Sequence, residues 1–104
     1  MDYRVIVSKR ALESINLFVA YLLLEKNSLQ AAQSVADDYE ETLRRLSVVA
    51  GGLKFCDDPE LASLGYRRIN FKRHKYFLVY HVEEDVAYVD RVFHFDQDYE
   101  NAMK

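Results

Sequence analysis

Apolar residues recur every three to four positions at Ala11, Leu12, Ile15, Phe18, Val19, Leu22 and Leu23. That spacing puts them along one side of an α-helix. Ser8 stands where an N-cap is needed, so a helix is predicted from there to about Asn27. The pattern resumes after Ser28, a second cap, with Ala32, Val35, Ala36, Tyr39, Leu43, Leu46 and Val49 on one face. Asp37, Asp38, Glu40, Glu41, Arg44 and Arg45 fall on the opposite face, and Gly51-Gly52 ends the helix. Elsewhere the chain reads as strand. Tyr3 to Val7 is short, β-branched and aromatic. After a loop containing Pro59 and Gly65, "YRRINF", "YFLVYHV" and "VAYVDRVFH" follow, the last two separated by the polar turn "EED". The terminal "DQDYENAMK" is read as a final helical turn. The predicted order is β-α-α-β-β-β, an α+β fold with a helical hairpin packed on one face of a mainly antiparallel, curved sheet.

Composition narrows this little. The 104 residues make one domain, and 50% hydrophobic with 30% charged residues is ordinary for a soluble globular protein. No apolar run approaches the roughly 18 residues of a membrane span, and the start reads as a strand rather than a secretory leader. Cys56 is the single cysteine, so an internal disulfide is excluded and a cytoplasmic setting is expected.

Charge changes the picture more. The chain carries −3 overall, yet Arg67 to Lys75 holds five of its 14 basic residues and none of its 17 acidic ones. A domain polarised in this way presents its positive segment to something anionic, or uses it to protect a strand edge from aggregation. Alternation along a strand puts Arg67 with Ile69 and Phe71, and Arg68 with Tyr66 and Asn70. It puts Arg91 with Val89 and Phe93, and His94 with Val92 and Asp90. Arginine, lysine, histidine and tyrosine on the uncovered sheet face would be able to hold phosphates, stack on bases, or move protons in phosphodiester cleavage. There is no phosphate-cradling glycine motif and no nucleophile motif. His74, His81 and His94 match no metal-ligand spacing, so neither metal nor cofactor is expected.

The ordered set "YRRI", "YFLVYHVEED" and "VDRVFHFDQDYE", following two helices of the right length, resembles the RelE/ParE superfamily of toxins from type II toxin–antitoxin modules. The resemblance covers nearly the whole chain and is most specific from Gly65 to Glu100. It implies a bacterial growth inhibitor held inactive by a cognate antitoxin in a hetero-oligomer. Arg67, Arg68, Lys72, Arg73, His74, Lys75 and Arg91 would then meet the target or the antitoxin. The superfamily implies two kinds of target. ParE-like members block DNA gyrase, and RelE-like members cut messenger RNA on the ribosome without a metal.

Nuclease members tend to have an arginine just before "LVY", and some have His-Tyr at the end of the last strand. Here Phe77 takes the first position, and His94 is followed by Phe95. A nuclease would therefore have to draw on Arg68, Lys72, His94 and Tyr99, with His74 as a further substitute. These departures favour the gyrase-directed branch. The ribosome-dependent ribonuclease, and a degenerate toxin that only binds antitoxin, are the alternatives.

Overall fold

The computed structural model describes residues 2–104. Strand β1 (Arg4–Val7) leads into helix α1 (Lys9–Leu24), and α2 (Leu29–Val49) follows after a short turn. Ser8 caps α1 by accepting from the Ala11 amide at 3.0 Å, and Ser28 caps α2 by accepting from Ala31 at 3.1 Å. Asn27, between the helices, takes the left-handed conformation with φ 50°. A 3₁₀ turn (Ala50–Gly52) closes α2. A side chain at Gly51 would meet the end of the Tyr3 phenol, which packs against this turn and would have to swing aside.

The segment expected to be a plain loop contains a further helix, α3 (Pro59–Ser63). Asp58 caps it, Pro59 supplies a preset first turn, and Gly65 at φ +88° ends it. Strands β2 (Arg67–Asn70), β3 (Tyr76–Glu83) and β4 (Val86–His94) then precede a terminal helix, α4 (Tyr99–Met103).

Among the described residues the strands form one four-stranded sheet in the order β1-β4-β3-β2. The helical hairpin thus carries the chain from one edge of the sheet to the other. Strands β3 and β4 then walk back, antiparallel, until β4 pairs in parallel with β1. This is the expected α+β arrangement. Its main core lies between hairpin and sheet, from Ala11 and Ile15 of α1 and Val35, Tyr39 and Leu46 of α2 to Leu78, Tyr80, Val89 and Val92 of the sheet. Tyr80 is fully buried, and its hydroxyl donates to the Ala50 carbonyl at 2.7 Å.

Three expectations change. Asp38, placed with the polar face of α2, is fully buried. The second face of the sheet is only partly open, because α4 folds across it. Phe77, Val79 and Phe93 there form a second apolar cluster with Tyr66, Tyr99 and Met103. Finally, the register shifts between Val79 and Tyr80, so that Val79 pairs with Arg91 and Tyr80 with Val89. The extra residue, Asp90, breaks strict alternation along β4. Val89 therefore joins the helix-side core while Phe93 faces α4, and the two do not share a face as alternation would have them do.

Candidate functional site

The basic segment does not form one patch. Lys72, Arg73 and His74 make the turn between β2 and β3, and this turn folds back onto α2. Buried Asp38 accepts from the Lys72 amide at 3.2 Å, the Arg73 amide at 2.9 Å and His74 Nδ1 at 2.8 Å. The other nitrogen of His74 lies 3.2 Å from the Ser34 hydroxyl. Arg73 donates to Glu41 at 2.7 Å, and the Lys72 ammonium stands 4.0 Å from the same carboxylate. Burial pushes the Asp38 carboxyl up, but the hydrogen bonds from His74 and from the Arg73 and Lys72 amides outweigh it and hold the pKa below the ordinary value. Much of the turn's charge is thus answered within the fold. Lys75 is exposed, with no ion pair among the described residues.

Arg67 and Arg68, adjacent on β2, leave the strand in opposite directions. Arg67 stacks on Phe55, 4.1 Å from the ring centre, and donates to the Gly51 carbonyl at 3.2 Å and to the Leu53 carbonyl. Arg68 goes to the α4 side. Its guanidinium sits 3.6 Å from the centre of the Phe77 ring, 5.1 Å from Phe95 and 5.4 Å from Tyr99. Arg68 Nε donates to the Asn70 side chain at 2.9 Å. Tyr99 lies beside Arg68, and burial is the main cause that raises its phenol pKa. Burial raises the Cys56 thiol as well, which disfavours the reactive thiolate. A cavity of about 600 Å³ opens beside these groups, lined by Arg45, Phe55, Cys56, Arg68, Asn70 and Tyr99.

The remaining candidates lie apart. Arg91 stacks 4.7 Å over Phe93 and donates to the Ala102 carbonyl at 3.3 Å, which ties α4 to the sheet. Burial, and then the nearby Arg10 charge, lower its pKa. His94 sits on the helix side, edge-on to Tyr76 at 5.1 Å, and Tyr76 in turn packs on Phe18 of α1. Its Nδ1 accepts from the Asp96 amide at 3.1 Å, fixing the turn that follows β4. Of the four residues that a nuclease would need, the fold therefore joins Arg68 and Tyr99. It leaves Lys72 in the α2-bound turn and puts His94 across the sheet.

Two features were not foreseen. The bulge puts Asp90 beside His81, whose Nδ1 donates to it at 2.6 Å while the ring stacks on Tyr88 at 5.1 Å. Arg45, assigned only to the polar face of α2, reaches the edge strand and donates to the Asn70 carbonyl at 2.7 Å. Neither contact has a local sequence signal, since each depends on a long-range register.

Among the described residues no helix is long and apolar enough to cross a membrane, and no group of three or more His, Cys, Asp or Glu residues is arranged to hold a metal. A search of curated proteins finds no match. Among solved structures, one described as the chromosomal ParDE TA system from P. aeruginosa shares the fold. It has a TM-score of 0.72 and 16% identity, over 90% of this chain and 97% of that one. The profile described as "ParE toxin of type II toxin-antitoxin system, parDE" matches residues 5–99. With that match over nearly all of its length, the chain belongs to the ParE toxin family of type II toxin–antitoxin systems.

Proposed function

We propose that this toxin arrests growth by binding a macromolecular target, with DNA gyrase as the favoured one, and that a cognate antitoxin neutralises it by covering its binding surface. Acid–base chemistry on RNA is not part of this reading. The observation that carries it is the surrounding of Arg68. The positions where the nuclease resemblance would place an arginine and a tyrosine hold Phe77 and Phe95, and both rings pack around that guanidinium. The best placed cation thus meets aromatic rings where a proton-transfer partner would be needed. General acid–base groups must come within roughly 2.6–3.2 Å of the proton they move. His94 packs edge-on to Tyr76 on the helix side of the sheet, which supports a packing role for it rather than proton transfer at Arg68 and Tyr99.

The test is codon-resolved mapping of ribosome-bound messenger RNA after the chain is expressed, beside a His94→Ala variant. The expected result is intact RNA in both cases, with growth arrested in both. Cuts in the ribosomal A site that His94→Ala lowers by about 10²–10⁴-fold, the range of a general acid–base group, would overturn the reading.

A further inference from the structure

Helix α1 carries apolar residues that the fold does not use. Ala11, Ile15, Phe18, Val19 and Leu22 pack into the main core. On the outer side, Leu17 is 70% exposed, Tyr21 51% and Leu24 75%, with half-buried Ala20 between them. Leu17 and Leu24 are the two most exposed large apolar side chains among the described residues. Positions 17, 20, 21 and 24 make a strip at helical spacing, the pattern by which one helix pairs with another. The strip ends in opposite charges. Glu13 lies one turn before Leu17, and the Lys26 ammonium folds back to 5.8 Å from the centre of the Tyr21 ring. Among the described residues neither Glu13 nor Lys26 is in an ion pair.

We infer that a second copy of this chain docks on the strip, as an isologous, antiparallel pair of α1 helices. Along the strip the order is acid, Leu17, Ala20–Tyr21, Leu24, base. Turned end for end, that order meets itself, which is what a two-fold contact requires. With the axis between Ala20 and Tyr21, Leu17 of each copy meets Leu24 of the other, and small Ala20 leaves room for the facing Tyr21 ring. Glu13 then stands within two residues, about 3 Å along the axis, of the level of the second copy's Lys26. Symmetry makes that charge pair twice. A parallel pair would instead set Glu13 against Glu13 and Lys26 against Lys26. The inference is independent of the proposed target, and the pairing leaves the second face of the sheet, with Arg68 and α4, open in both copies. One helix pair buries less than the ~800 Å² a side of a standard interface, so a weak dimer is expected, with a Kd of about 1–100 µM.

The test is sedimentation equilibrium of the purified full chain from about 1 to 500 µM, a range that brackets a weak interface. It compares the wild type with Leu17→Lys, Glu13→Lys, Lys26→Glu and the double variant Glu13→Lys with Lys26→Glu. All three positions are exposed, so the variants should fold, and a thermal melt confirms it. Should Leu17→Lys melt early, Leu17→Ser and the charge variants carry the test. The expected result is a monomer–dimer equilibrium that Leu17→Lys weakens by at least about tenfold, as loss of an interface anchor does. Each single charge reversal should weaken it by about two- to tenfold, the range of exposed ion pairs made twice over, and the double variant should restore it. A wild type that stays monomeric throughout would overturn the proposal. So would a dimer that none of the variants weakens, because its contact would lie elsewhere. A double variant no tighter than the singles would overturn the antiparallel pairing. Titration with the antitoxin encoded beside the chain separates the other occupant. If Leu17→Lys weakens antitoxin binding and leaves self-association unchanged, the strip belongs to the antitoxin and the dimer reading falls.

Discussion

Asp38 anchors the turn between β2 and β3 to α2. Two backbone amides and an imidazole depend on a carboxylate that is 0% exposed. Asp38→Ala would leave those three part-buried donors without their acceptor, at a cost of about 2–4 kcal/mol, since a fully buried unsatisfied group costs roughly 1–3 and water reaches part of this turn. For a domain of this size that lowers the melting temperature by some ~10–25 °C. A variant melting within a degree or two of the wild type would show that water replaces the carboxylate. The same residue sets a pH dependence. Its pKa is lower in the folded state than in the unfolded one, so its contribution is fully present above the unfolded value of about 3.9 and is lost as pH falls through the folded value. Asp38→Asn should flatten the acid limb of a plot of stability against pH. At the other end, burial raises the pKa values of Tyr39 and Tyr80 to about 12. Raised values mean stability present below the unfolded value of about 10 and lost as pH rises toward 12, so alkaline unfolding should begin in that window. Tyr80→Phe should weaken that alkaline limb, at the cost of its 2.7 Å bond to Ala50.

Elements with a strong period of their own were readable in advance, and their packing follows from it. Ile15 and Leu46 are 3% and 0% exposed, in the middle of the helix faces that the 3.6-residue spacing defines. Ile15→Asp should abolish folding, because a buried unpaired charge consumes most of the ~5–15 kcal/mol that a domain has. Leu46→Ala should cost about 2–5 kcal/mol. Denaturant melts check both, and a cooperatively melting Ile15→Asp chain would mean that the α1 face is misassigned. What the periodicity missed has physical reasons. Asp38 carries every local mark of a solvated position, and its burial depends on a turn that begins 34 residues later. Helix α3 is too short for a period to register. The bulge at Asp90 defeats a parity argument by inserting a single residue, and with it go the face assignments of Val89 and Phe93. The site was legible in part. Arg68 and Tyr99 come together, whereas the role of Arg45 at the β2 edge rests on tertiary contact alone.

For the whole molecule, the question raised by the clustered positive charge has a two-part answer. The hairpin tip at Lys72, Arg73 and His74 is a structural clasp on α2, while Arg67 and Arg68 of the same segment pack on Phe55 and Phe77. Replacing Lys72 and Arg73 with glutamine should therefore lower stability more than it changes the salt dependence of partner binding, since exposed pairs with Glu41 contribute little to a distant interface. The proposed binding function would use such a surface, whereas the nuclease reading would need Lys72 and His94 beside Arg68 and Tyr99, and they lie elsewhere. The most direct measurement is gyrase supercoiling of relaxed plasmid, titrated with the purified chain before and after the antitoxin is added. The account predicts inhibition that rises with the chain, is relieved by the antitoxin and survives His94→Ala. Normal supercoiling at every concentration, from a chain that still arrests growth, would contradict it.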